Sequence, residues 1–186
     1  MKISTDVVPI KTGLPVENDK EIEYLFELIN NSKISLLGYT FKEERIKDEL
    51  ISKIPHIELQ EVSSSFSILS YIRDSKIDTL LNNKENINHF LFDINSFRVG
   101  TGGQISRANM IKNTLMRIKE ELFETNFKLL ITCPIYNQMG NDEYNFSSGQ
   151  TGLYIADFVG IIKEYSIKIM KNRYGSSQTN IKYDSK

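Results

Sequence analysis

Residues 33–45 read KISLLGYTFKEER, an apolar run that passes at once into a polar segment. The apolar part, residues 33–39, is short and continuous, which is typical of a strand buried on both faces. Thr40 and Glu43 have the spacing of a capping box, S/T-x-x-E, and predict a helix that runs to about Ile54. A buried strand followed directly by a helix is the repeating unit of parallel α/β sheets.

Outward from this stretch, strands and helices alternate along the chain. Apolar patterns predict strands over 7–10, 57–61, 89–94, 127–132, 158–163, 166–171 and 180–183, and helices over 20–31, 65–82 (in two pieces) and 106–125. This alternation predicts a mainly parallel, twisted sheet with helices on both faces, and the closely spaced last strands predict an antiparallel extension. We therefore expect one α/β domain over residues 1–186. Ligands bind such sheets at the carboxyl ends of the strands, where Asp93, Thr132 and the Gly38–Thr40 turn are expected.

Bulk composition places the chain among ordinary soluble proteins. It has 186 residues, of which 40% are hydrophobic and 25% are charged. No apolar run approaches the roughly 18 residues that a membrane span needs. We therefore expect no membrane association and a cytoplasmic location, which is the host cytoplasm if the protein is viral. Its one cysteine, Cys133, excludes an internal disulfide.

Charge is distributed unevenly along the chain, although the net charge is only −1. Residues 1–97 carry 11 Lys/Arg and 16 Asp/Glu, a balance of −5, whereas residues 98–186 carry 12 and 8, a balance of +4. A mildly basic second half can face phosphate groups. The same charges are equally consistent with an ordinary solvated surface.

Five segments, in order, resemble motifs of the RecA-type ATPase core of DnaB-type replicative helicases and related phage helicases. Residues 33–45 resemble the strand and turn with the catalytic glutamate, and residues 89–93 (HFLFD) resemble the Walker B strand. Residues 127–138 (FKLLITCPIYNQ) resemble the strand with a polar sensor residue, and residues 156–162 (ADFVGII) resemble an Ala-Asp strand. Residues 167–175 (IKIMKNRYG) resemble the strand whose lysine and arginine reach a neighbouring subunit's nucleotide. The last segment is the most specific. The resemblance implies a RecA-like three-layer α/β/α fold that forms homo- or hetero-oligomers with RecA-like ATPases.

The chain departs from this family at the phosphate loop, G-x-x-x-x-G-K-[ST], whose backbone N–H groups and lysine hold the phosphates. Its expected place is about residues 11–20, between the first strand and the first helix. There Gly13 is followed by Asn18, Asp19 and Lys20 where the second glycine, the lysine and the hydroxyl residue belong. Carboxylates facing a triphosphate would oppose binding by several kcal/mol. We therefore expect a degenerate loop, no bound cofactor, and little or no nucleotide hydrolysis.

The other motif residues have two interpretations each. Asp93 is a Mg²⁺ ligand if a nucleotide binds, or else a turn-capping aspartate at a strand end. Glu43 and Glu44 can supply a catalytic base, or they belong to a capping box and a solvated first helical turn. Lys171 and Arg173 lie two apart on a predicted strand and therefore point to the same side. They are either trans-acting fingers for a neighbour's nucleotide or a solvated strand edge.

Two glycine-containing loops lie where family members place DNA-facing loops. The first is Gly100–Gly103, with Arg98, Gln104 and Arg107 as candidates for DNA contact. The second is Gly140–Gly149, within the polar segment 138–151, with Tyr144 and Phe146 as candidates. Aromatic side chains in such loops can stack on bases, or they can anchor the loop to the core. We expect the second loop to be mobile.

The leading functional hypothesis is a catalytically degenerate RecA- or helicase-like protein, encoded by a phage or mobile element. It would act in DNA replication or recombination by binding single-stranded DNA or an active ATPase partner. One alternative is an active, atypical ATP-dependent helicase or recombinase subunit that uses ATP and Mg²⁺ at Asp93. Another is a purely structural protein that reuses the fold.

Overall fold

The computed structural model of the chain describes residues 7–9, 19–54, 56–58, 70, 89–96, 104–123, 125, 127–137, 144–163 and 166–173. The predicted helical pair over 65–82, apart from residue 70, lies outside these ranges. So do the predicted strand over 180–183 and the glycine-rich residues 99–103.

Strands and helices alternate in the described ranges, as predicted. The strands are β1 (Val7–Pro9), β2 (Ile34–Tyr39), β3 (His56–Glu58), β4 (His89–Asp93), β5 (Lys128–Asn137), β6 (Tyr144–Phe146), β7 (Phe158–Lys163) and β8 (Ser166–Asn172). The helices include α1 (Asp19–Asn31), α2 (Glu44–Ser52), α3 (Gln104–Phe123) and α4 (Gly149–Ile155). None of the helices in these ranges is both long and apolar enough to cross a lipid bilayer.

The strands form one sheet in the order β1-β8-β7-β2-β5-β4-β3, with β6 paired to β5 outside this path. Strands β3, β4, β5, β2 and β7 are parallel to one another, whereas β8 runs antiparallel to β7 and β1 antiparallel to β8. The predicted α/β class with a mainly parallel sheet is confirmed. Strand β2, which the apolar run 33–39 predicted, lies between β5 and β7 in the middle of the sheet.

Every residue of β2 is buried, as a central parallel strand requires. Its successive side chains enter two different cores: Leu36 packs with α3 and α4, whereas Leu37 packs with α1 and α2. Each fully buried leucine of this kind contributes roughly 1.5–3 kcal/mol relative to its exposed state. Helices therefore cover both faces of the sheet, with α1 and α2 on one face and α3 and α4 on the other.

Two local predictions were wrong. Residues 144–151, expected in a mobile loop, form β6 and the start of α4, and β6 pairs antiparallel with the end of β5. The capping box at the start of α2 is also absent, since Thr40 makes no side-chain bond to the helix backbone. Its hydroxyl donates to the Glu43 carboxylate instead. A short 3-10 turn over Phe41–Glu43 precedes α2 and takes up the positions that a capping box would order.

Candidate functional site

A cleft opens at the carboxyl edge of the sheet, between the ends of β2 and β5. These two strands are neighbours, but the chain leaves β2 toward α2 on one face and leaves β5 toward α4 on the other. Such a reversal leaves a crevice between the two connections, which is where open α/β sheets bind their ligands. The cleft has a volume of about 660 Å³, within the range of small-molecule sites.

Two exposed aromatic rings line this cleft. Phe41, in the connection from β2 to α2, is 90% exposed, and Tyr136, in the second half of β5, is 64% exposed. Large aromatic side chains of a folded domain are usually buried at least in part. Lys42 and Lys163 also line the cleft. Glu43 and Glu44 line it as well, so the two rings suit a flat aromatic ligand whose charge is low at the cleft itself.

The inner wall of the cleft is a buried tyrosine in a polar setting. The hydroxyl of Tyr39 accepts a hydrogen bond from Asn95 Nδ2 at 3.1 Å, and Lys47 Nζ lies 4.5 Å from the centre of its ring. Burial raises the pKa of Tyr39 above its ordinary value, and the negative charges of Asp93 and Glu44 raise it further. The phenol therefore keeps its proton at neutral pH and remains a hydrogen-bond donor.

The carboxylates of the candidate catalytic and metal sites make local bonds. Asp93 ends β4, and its Oδ1 accepts the backbone N–H of Asn95 at 3.1 Å. This is the turn-capping role, one of its two expected roles. Glu43 is bonded to Thr40, as described above, and Glu44 begins α2. Glu43 and Glu44 both line the cleft.

A phosphate cradle does not fit the connection from β2 to α2. Only Thr40 and the three residues of the 3-10 turn separate the two elements, whereas the phosphate-binding pattern spans eight residues between strand and helix. In the segment where the degenerate loop was expected, Gly13 and Asn18 lie outside the described residues, and Asp19 and Lys20 are the first residues of α1. The strand before that segment, β1, is separated from β4 and Asp93 by four other strands.

The two finger candidates lie at the opposite, amino edge of the sheet. Lys171 Nζ donates to the carbonyl oxygens of Leu153 and Tyr154, at 2.9 and 3.3 Å, in the last turn of α4. Arg173 Nη1 donates to Asp157 Oδ1 at 3.3 Å. Burial lowers the pKa of Lys171, and the positive charge of Arg173 lowers it further. Arg173 follows the last residue of β8, and its charge acts on Lys171, but both cations lie away from the cleft.

The candidates for DNA contact are divided among several places. Arg98 lies outside the described residues, and Gln104 is the first residue of α3. Arg107 Nη2 donates to the carbonyl oxygen of Ile94 at 3.1 Å and ties the start of α3 to the turn after β4.

The two aromatic candidates in β6 differ from each other. The Tyr144 ring is partly buried and lies 4.4 Å from Lys163 Nζ and 5.5 Å from Lys168 Nζ. Phe146 is buried in the core against Gly38, where a Cβ would stand 2.8 Å from its ring. The expectation that Phe146 contacts DNA is therefore corrected to the anchoring role, because its ring has no face open to a base.

Sequence reasoning missed the exposed members of the cleft, Phe41, Tyr136, Lys42 and Lys163. A signal existed for Phe41, since it follows Thr40 in a polar segment and lies outside the apolar pattern of α2. The arrangement can hold a planar ring against aromatic faces and an adjoining anion against ammonium groups. Comparison of the sequence with protein-family models and with curated proteins finds no match to this chain.

Proposed function

We propose that the chain is a RecA-like, three-layer α/β/α subunit that does not hydrolyse ATP and that binds single-stranded DNA in its carboxyl-edge cleft. The observation that carries the proposal is the pair of exposed rings, Phe41 and Tyr136, beside Lys42 and Lys163 at the switch point of the sheet. The order of the sequence motifs, the mainly parallel sheet and the helices on both faces support the fold assignment. As expected from the motifs, such a subunit would act in DNA replication or recombination beside an active ATPase.

The geometry of the β2–α2 connection argues against a triphosphate as ligand. Four residues are too few to wrap a phosphate chain with backbone N–H groups. Two of the cleft's lining side chains, Glu43 and Glu44, are carboxylates, and like charges oppose a triphosphate. A nucleic-acid strand carries one charge per nucleotide, so its bases can lie at the rings while its phosphates remain near the lysines.

Single strands are favoured over duplexes because stacking on protein rings needs unpaired bases. Each base–ring stack is worth about 1–3 kcal/mol and tolerates any sequence. Removing one ring therefore weakens binding by roughly 5- to 150-fold. The lysines add a salt-dependent contribution from the phosphates.

The test is fluorescence anisotropy of a labelled oligothymidine titrated with the full chain and with matched variants. Phe41→Ser should weaken binding by at least about fivefold. Phe123→Ser removes an equally exposed ring, 82% exposed at the end of α3, and should leave the affinity of the cleft unchanged. Equal effects of the two substitutions, or hydrolysis of ATP stimulated by DNA, would refute the proposal.

An active ATPase is the second candidate, and one observation favours it. The charges of Asp93 and Glu44 both act on Tyr39, so two carboxylates converge on the inner wall of the cleft. This candidate expects Mg²⁺-dependent binding of a fluorescent ATP analogue that Asp93→Ala abolishes. Unchanged nucleotide affinity in that variant excludes it.

A further inference from the structure

Three helices end at the amino edge of the sheet, and a lysine meets each end. Lys128 Nζ donates to the carbonyl oxygen of Asn30 in the last turn of α1, and Lys33 Nζ donates to that of Thr125, just beyond α3. Lys171 does the same for the last turn of α4. These bonds satisfy carbonyl groups that have no partner inside their helices. They also fix three ammonium groups in a row along this edge, with Lys171 in β8, Lys33 just before β2 and Lys128 in β5.

Two further cations extend this row. Arg173 is half exposed and lies near Lys171, and Lys119 Nζ is held 5.1 Å from the centre of the Tyr154 ring. The positive charges of Arg173 and Lys119 both lower the pKa of Lys171. We name Lys33, Lys119, Lys128, Lys171 and Arg173 the amino-edge cations.

The carboxyl ends of the three helices do not neutralise the amino-edge cations completely. Each helix carboxyl end carries roughly half a negative charge, and the buried carboxylate Asp157 adds one more. The exposed Glu120 and Glu121, in the last turn of α3, add two more negative charges. Against five cations, these terms leave a balance of about +0.5. Among the described residues, Asp157 is the one carboxylate whose charge acts on the pKa of Lys33, Lys128 or Lys171. The edge therefore keeps a small positive balance, with its ammonium and guanidinium groups fixed in place by the bonds given above.

We propose that the amino-edge cations bind the phosphate backbone of single-stranded nucleic acid, as a second contact at the opposite edge of the sheet from the cleft. The identity of this ligand rests on the proposed function. A regular polyanion suits cations that are held in place, because little side-chain freedom is lost on binding. The six residues of β2, at about 3.3 Å each, put roughly 20 Å between the two edges, a span that an oligonucleotide can cover.

The experiment compares two double variants with the same change of charge. Lys119→Gln with Arg173→Gln removes two amino-edge cations and leaves the three helix-capping lysines in place. Lys112→Gln with Arg117→Gln removes two exposed cations from elsewhere on α3. Lys119→Arg with Arg173→Lys keeps the charge and controls for folding, which is checked by thermal melting.

Anisotropy with a 30-nucleotide oligothymidine is measured between 50 and 200 mM salt. The first variant should bind about 25-fold more weakly at 0.1 M salt, and its salt slope should fall by about 1.4, since each single-strand contact contributes about 0.7. The α3 control and the charge-preserving variant should match the parent chain. Equal effects of both charge-removing variants would overturn the proposal, as would no effect of either.

Two further outcomes separate the possible explanations. Displacement of the oligonucleotide by polyglutamate at equal charge concentration would assign the amino edge to an acidic protein and overturn the nucleic-acid proposal. Loss of binding in Phe41→Ser with full binding in the amino-edge variant would leave the cleft proposal standing and remove this one. The reverse pattern would keep the amino-edge site and refute the cleft as the place where DNA binds.

Discussion

Gly38→Ala tests the packing beneath the end of β2, one residue before Tyr39 at the cleft. Gly38 lies next to the end of β2, and a Cβ there would stand 2.8 Å from Phe146 Cε1 and 2.9 Å from Ile135 Cγ2. Contacts this short force the neighbours to shift, and overpacking of this kind costs about 1–3 kcal/mol. Alanine recovers roughly 0.5–1 kcal/mol because glycine is unfavourable inside a strand. We expect the free energy of unfolding to fall by about 0.5–2 kcal/mol.

Urea unfolding followed by circular dichroism measures this loss, and a second substitution identifies its cause. Phe146→Leu shortens the ring that the new methyl group would meet. In that background Gly38→Ala should cost less than in the parent chain, because only the 2.9 Å contact with Ile135 Cγ2 remains. The difference between the two costs is the coupling free energy of the pair. If Gly38→Ala costs the same in both backgrounds, the Phe146 ring does not pack over Gly38.

Two further predictions concern buried polar groups. Asp157 Oδ2 accepts the backbone N–H groups of Lys33 and Ile34 at 3.1 and 3.3 Å, so Asp157→Asn should lower the free energy of unfolding by about 1.5–3 kcal/mol. In the same urea experiment, Glu23→Gln on the exposed face of α1 should change it by less than about 0.5 kcal/mol. The pKa of Tyr39 is raised above its ordinary value of 10.0, so its contribution to stability is complete below pH 10 and is lost as the pH rises above that value. Unfolding between pH 8 and 11 should show a shallower alkaline loss in Tyr39→Phe, and an unchanged pH profile would contradict the buried environment of the phenol.

The central strands could be predicted from the sequence because their signal is local. Residues 33–39 and 158–163 are short apolar runs, and the structure buries almost every side chain in them. Strand β6 gave no such signal, since it has three residues and exists only through its pairing with the end of β5. The hydrogen bonds of Lys171 could not be predicted from the sequence either, because they depend on where α4 ends in the folded chain. Charge and spacing predicted that Lys171 and Arg173 would lie together, but not what they would contact.

The length of the β2–α2 connection determines which ligand the cleft can bind. An eight-residue glycine-rich loop would leave room for phosphates at the end of β2 and would set the next helix back from the sheet edge. Four residues with a 3-10 turn instead place Phe41, Lys42 and Glu43 at the cleft itself. A triphosphate cradle and this aromatic wall therefore exclude each other in the same connection. For that reason, Phe41→Ser should weaken oligonucleotide binding and should leave ATP binding unchanged, because removal of the ring creates no phosphate cradle.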